Sequence, residues 1–117
     1  MKLCMIGTGY VGLVSGACFA DLGNEVICVD KNISKINSLQ NGVVPIYEPG
    51  LEELVTKNIK NKRLSFSNNL ALSIKKSDVV FICVGTPTKK GGGNADLSQI
   101  FSVAKEIRKL INKFKII

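Results

Sequence analysis

No histidine occurs among the 117 residues, and its absence removes Ser-His and Cys-His nucleophile systems together with the commonest general base. Acidic residues are few as well: nine stand against sixteen Lys and Arg, and the resulting net charge of +7 makes an anionic ligand electrostatically welcome. Aromatic residues are only 6% of the chain, and none interleaves with the basic run Lys57 to Arg63 or with Lys105, Arg108, Lys109 and Lys113 of the last predicted helix. Without stacking platforms these cations read as solvated surface, so no nucleic-acid partner is expected. Cys4, Cys18, Cys28 and Cys83 lie inside apolar runs and none belongs to a C-x-x-C pair, which indicates neither a metal site nor a redox motif. They read as small reduced core residues, suited to a cytoplasmic protein.

Charge is missing altogether from residues 3 to 20, directly after Lys2, as it would be in a signal peptide or a membrane segment. The stretch nevertheless holds four glycines, and its hydrophobicity divides into a strand-like half and a helix-like half. No membrane partner is expected.

What is present is the pattern of one domain. Hydrophobic residues make up 45% and charged residues 21%, enough to bury a single core at this length. Strand-like and helix-like stretches alternate. "KLCMI" (2 to 6) and "EVICVD" (25 to 30) read as strands, and between them Val11, Val14, Ser15, Cys18, Phe19 and Leu22 recur at helical spacing, with Gly23 as the stop. Asn32 is the expected cap of a second helix that carries Ile33, Ile36 and Leu39 and ends at Gly42. Pro49 suits the first turn of a third helix, whose early Glu52 and Glu53 complement the helix dipole. "RLSFS" (63 to 67) is a short strand, and "DVVFICV" (78 to 84) reads as the most buried one. A glycine-rich loop (89 to 94) leads to Asp96 and Gln99 at capping-box spacing, followed by a stripe of Ile100, Val103, Ala104, Ile107, Leu110 and Ile111. "KFKII" then opens one more strand. The expected fold is α/β: a Rossmann-type parallel sheet with helices on both faces and a truncated last strand.

"GTGYVG" (Gly7, Thr8, Gly9, Tyr10, Val11, Gly12) is a G-x-G-x-x-G sequence that follows the first strand and opens a helix, the context in which such glycines bind a dinucleotide. Gly7 permits the turn, Gly9 lets the backbone approach a pyrophosphate, and Gly12 lets the helix pack close to the strand. Asp30 ends the second strand, 18 residues after Gly12, where a carboxylate accepts the ribose hydroxyls and repels a 2′-phosphate. NAD is therefore the expected cofactor, in preference to NADP. Lys35, in the first turn of the next helix, is placed to reach the same ribose or a phosphate. Thr86 follows the central strand at the carboxyl edge of the sheet, on the nicotinamide side of such a cofactor. No catalytic group is on view.

"MIGTGYVGLVSGACFADLGNEVICVD", "PIYEPGLEELV", "DVVFICVGTPT" and "ADLS", in that order and spacing, resemble the amino-terminal NAD-binding domain of the UDP-glucose 6-dehydrogenases, within the UDP-glucose/GDP-mannose dehydrogenase family. The resemblance runs through the whole chain, and "EPGL" and "VGTP" are more specific than the glycine motif. It implies an enzyme that oxidises the hydroxymethyl group of a nucleotide-sugar substrate to a carboxylate, with two NAD and a thiol-linked intermediate, in the manner of enzymes of polysaccharide biosynthesis. It implies cofactor contacts at Gly7 to Gly12, with backbone at Val11, and at Asp30, Lys35 and Thr86. In the family the last strand continues into a Lys-Ser-Thr segment and a second nucleotide-binding domain that carries the catalytic cysteine, lysine and asparagine, none of which is present here. The expectation is a single NAD-binding domain over 1–117, incomplete at its end and inactive alone, with a homo-oligomer open for the full-length enzyme. Three alternatives remain: a GDP-mannose or other nucleotide-sugar enzyme, a hydroxyacid or hydroxyacyl-CoA dehydrogenase, and a non-catalytic NAD-sensing module.

Overall fold

A computed structural model describes residues 1–117. The chain runs β1 (Lys2–Ile6), α1 (Tyr10–Asp21), β2 (Glu25–Val29), α2 (Ile33–Gln40), α3 (Leu51–Lys60), β3 (Leu64–Ser67), α4 (Leu70–Lys76), β4 (Val79–Ile82) and α5 (Ser98–Leu110). The four strands are all parallel, in the order β3-β2-β1-β4. Because alternate residues of a strand face opposite sides, β1 sends Leu3 and Met5 into one core and Cys4 and Ile6 into another. The first core is closed by α1, α2 and α3 through Leu13, Ala17, Leu39 and Val55, the second by α4 and α5 through Ile74, Val103 and Ile107. Helices thus cover both faces, as the sequence predicts.

The strand order reverses at β1, since β2 and β3 extend to one side of it and β4 to the other. The carboxyl ends of β1 and β4 therefore flank a crevice, the position at which open α/β sheets take their ligands. Beyond β4, Ile116 makes a single parallel bridge to Val79, and Val80 donates its N–H to the Ile116 carbonyl at 2.8 Å. Ile116 falls within the "KFKII" stretch that is expected to open a further strand, and it is the one residue of that stretch that pairs with the sheet.

Several local expectations are corrected. The buried face of α1 consists of Gly12, Leu13, Gly16, Ala17 and Ala20, whereas Val11 and Leu22 are exposed. The helix lies so close to the sheet that a Cβ on Gly16 would stand 2.8 Å from Cys28 Sγ, so small residues and not large apolar ones mark its inner side. Cys18 is consequently exposed and Cys83 half-buried, while Cys4 and Cys28 are core residues. Pro49 lies outside α3: Gly50 is the N-cap, with φ 81°, a left-handed conformation that glycine adopts without strain. Glu52 and Glu53 do occupy the first turn. The capping box at α5 is also absent. Asp96 Oδ1 accepts the Ser98 N–H at 2.9 Å, but the N-cap is Leu97 and Gln99 is turned to the crevice. In β4 only Val80 is fully buried, because little of the sheet lies beyond that strand.

Candidate functional site

The turn from β1 into α1 is built by two glycines that admit no side chain. Gly7 has φ +106°, and a Cβ there would lie 2.5 Å from the Cys83 carbonyl oxygen; on Gly12 it would lie 1.9 Å from the Gly7 carbonyl oxygen. Gly9 differs, with ordinary backbone angles and no atom within 4 Å of a built Cβ. Its lack of a side chain keeps space open and is not needed for packing. Gly9 is also the N-cap of α1, with no side-chain capping hydrogen bond and no acidic residue in the first turn. The helix therefore presents unpaired N–H groups and the positive end of its dipole to this space, as an anionic group requires.

Above the turn lies a cleft of about 1040 Å³, lined by the glycine loop (Gly7 to Val11), Asp30, Lys31 and Lys35, the β4 end (Cys83 to Thr86) and one side of α5. A volume of this size suits a large ligand. Every residue assigned to the cofactor from the sequence lines it, except Gly12, which is buried beneath the loop where the helix meets the strand. Tyr10 is 55% and Val11 66% exposed. Thr86 is exposed at the far wall, after the end of β4.

Asp30 stands just past β2 and is partly buried. Its Oδ2 accepts the Thr8 hydroxyl at 2.6 Å and the Thr8 N–H at 3.1 Å, with Lys35 Nζ 3.8 Å away. Its Oδ1 accepts the Asn32 N–H at 3.0 Å. Burial pushes the carboxyl up, but the bonds from the Thr8 hydroxyl and from the Asn32 and Thr8 N–H groups, with the Lys35 charge, outweigh it and hold Asp30 below the ordinary carboxylate range. The group is ionised at neutral pH, and Oδ1 retains acceptor capacity for a ligand. Lys35 owes its place to Asn32, whose side chain caps α2 by accepting the Lys35 N–H.

The α5 wall was not foreseen. Ser98, Gln99, Ser102 and Glu106 line the cleft opposite the glycine loop, and Glu106 lies 3.9 Å from Lys31 across it. The available signal was that this segment follows the predicted strand 78 to 84, whose carboxyl edge is where open α/β sheets take their ligands. Cys83 also borders the cleft, its thiol pushed upward by burial. No cluster of three or more Cys, Asp or Glu side chains is arranged to hold a metal ion, and no helix is long and apolar enough to cross a membrane.

The residues fit a dinucleotide: an open helix N-terminus for its phosphates, a side-chain-free approach at Gly9, and an ionised carboxylate, Asp30, lining the same cleft. Comparison with known proteins agrees with this geometry. The pattern of the UDP-glucose/GDP-mannose dehydrogenase family, NAD binding domain, matches residues 1–117. The chain belongs to this family. A UDP-glucose 6-dehydrogenase of Rhizobium meliloti (strain 1021) is 51% identical over 117 residues, covering 100% of this chain and 27% of that protein. One from Bacillus subtilis (strain 168) is 53% identical over 116 residues, 99% of this chain and 25% of that protein. Among solved structures, a ternary complex of GDP-mannose dehydrogenase from Pseudomonas aeruginosa superposes with a TM-score of 0.88 at 44% identity, covering 92% of this chain and 24% of that one. The chain spans about a quarter of the length of the curated relatives it matches, and that quarter is the family's NAD-binding domain.

Proposed function

We propose that the chain is the cofactor-binding portion of a nucleotide-sugar dehydrogenase that oxidises UDP-glucose to UDP-glucuronate with two NAD. In this reading residues 1–117 form the NAD-binding domain, and the sugar nucleotide is bound and the thiol chemistry carried out in further chain of the kind the relatives possess. The Gly7 to Gly12 loop, with the backbone around Tyr10 and Val11, receives the pyrophosphate at the α1 N-terminus. Asp30 accepts the adenosine ribose, Lys35 approaches the same ribose or a phosphate, and Thr86 borders the nicotinamide side. The bound cofactor supplies hydride acceptance; these residues bind and orient it. No nucleic-acid partner belongs to this reading. The four cysteines are unpaired, which supports a reducing compartment, the cytoplasm.

The observation that carries the reading is the ionised Asp30 carboxylate held beside a glycine loop whose helix N-terminus is uncapped. UDP-glucose is favoured as the substrate by the higher identity of the UDP-glucose 6-dehydrogenases. The GDP-mannose enzyme among the structural neighbours supports the second reading, a GDP-mannose substrate. Calorimetric titration of the chain is expected to show saturable NAD binding, weaker NADP binding, and loss of the NAD signal in a folded Asp30→Ala variant. A folded chain that binds neither nucleotide overturns the reading. The chain alone is expected to produce no NADH from UDP-glucose; production by the pure chain removes the division of labour proposed here.

A further inference from the structure

Thr8 was expected to serve the cofactor as part of the glycine loop, yet its side chain has no accessible surface. Its hydroxyl is spent on Asp30, 22 residues away, through a bond of 2.6 Å to Oδ2, and its N–H adds a second bond to the same oxygen at 3.1 Å. With Lys35 Nζ 3.8 Å from that oxygen too, Oδ2 is saturated by the protein. Oδ1 takes only the Asn32 N–H, at 3.0 Å. A carboxylate offers about four acceptor positions, so the one left for a ligand is on Oδ1.

Bonds to an ionised oxygen are short and directional, and two from one residue fix the plane of the carboxylate, not merely its charge. That plane matters for cofactor choice. A carboxylate free to rotate about its last torsion turns aside from a 2′-phosphate, or takes a proton, at small cost. One clamped at Oδ2 does neither, and holds Oδ1 against the ribose edge, where a hydroxyl is welcome and a second anion is repelled.

We propose that Thr8 is a positioning residue that sets the preference for NAD over NADP by clamping the Asp30 carboxylate through its buried hydroxyl. The inference rests on the cleft being the dinucleotide site and adds a selectivity role for a residue that does not itself offer its hydroxyl to the cofactor. It is tested by measuring NAD and NADP affinities of the chain and of Thr8→Val, Thr8→Ala and Thr8→Ser, each checked for folding by its thermal melt. Thr8→Val keeps the shape and removes the hydroxyl; Thr8→Ala covers the case in which valine perturbs the buried pocket. The expected result is that the NADP-to-NAD ratio of dissociation constants falls about ten-fold in both, as loss of a charge-assisted bond implies, and that Thr8→Ser recovers most of it. A purely structural role would weaken both nucleotides together and leave the ratio unmoved. That outcome, in a wild-type chain that does prefer NAD, overturns the proposal alone; a folded wild-type chain that binds neither nucleotide overturns the cofactor reading of the cleft as well.

Discussion

Gly9 and Gly12 stand three residues apart in one motif, but the structure gives them opposite reasons for lacking a side chain. A Cβ on Gly12 would meet the Gly7 carbonyl oxygen at 1.9 Å, whereas one on Gly9 would meet nothing within 4 Å. Gly12→Ala is therefore expected to destabilise the fold by about 3 kcal/mol, since a backbone atom cannot retreat as a side-chain end can. Gly9→Ala is expected to leave stability within about 0.5 kcal/mol of wild type and to lose NAD affinity, because its Cβ enters the space meant for the phosphates. Urea melts and NAD titrations of the two variants check this, and a Gly9→Ala chain that binds NAD normally would show that the pyrophosphate lies elsewhere. The glycines and Asp30 were legible in the sequence because their spacing is itself the signal. The bond from Thr8 to Asp30 was not, since it depends on the register that sets Ile6 beside Val29, which no local pattern records.

The helix α4 (Leu70–Lys76) shows what periodicity misses. Seven residues give barely two turns, too few for a 3.6-residue pattern to repeat, and of these only Ser73 and Ile74 are buried. Its start was nevertheless written in the sequence: Asn69 accepts the Leu72 N–H at 3.0 Å, the same arrangement by which Asn32 begins α2. A helix this short depends on its cap more than a long one does, because nucleation is the costly step. Asn69→Ala is expected to cost about 1 kcal/mol, read as a lower urea midpoint at unchanged slope; no loss of stability would mean that Ile74 and its neighbours hold α4 without help. The inner face of α1 was illegible for a different reason. An amphipathic pattern identifies the side that needs large apolar groups, and here the sheet approaches so closely that Gly16 and Ala17 are the residues that fit.

The +7 charge of the chain does not gather at the cleft. Basic residues occupy the last turns of α3, α4 and α5, and in a sheet whose helices run against parallel strands those turns lie at the edge opposite the cofactor. There they complement the negative ends of the helix dipoles. The amino ends of the strands are tied together at that same edge: Glu25 donates its N–H to the Met1 carbonyl, Val26 to Arg63, and Asp78 to Lys2. The outermost member of this row is Lys115, which is buried and donates Nζ to the Ser77 carbonyl and, at 3.4 Å, to the Lys75 carbonyl. A single ammonium thus closes the open end of α4 and fixes where the chain meets β4, one residue before Ile116 bridges to Val79. Nothing in the sequence singles out Lys115, since alternation with Phe114 and Ile116 gives no hint that the lysine points inward while Phe114 is 87% exposed. Removing the ammonium leaves the Ser77 carbonyl without that donor, a cost of about 1–3 kcal/mol borne where the sheet edge is thinnest. In Lys115→Ala, native-state hydrogen exchange at the Val80 N–H, which bonds to Ile116, and at the Ile116 N–H, which bonds to Asp78, is expected to quicken at least about ten-fold, while amides between β1 and β2 keep their rates. Equal acceleration everywhere would make Lys115 a contributor to global stability, and unchanged exchange at Val80 would mean that Ile116 holds its place on β4 without the buried lysine.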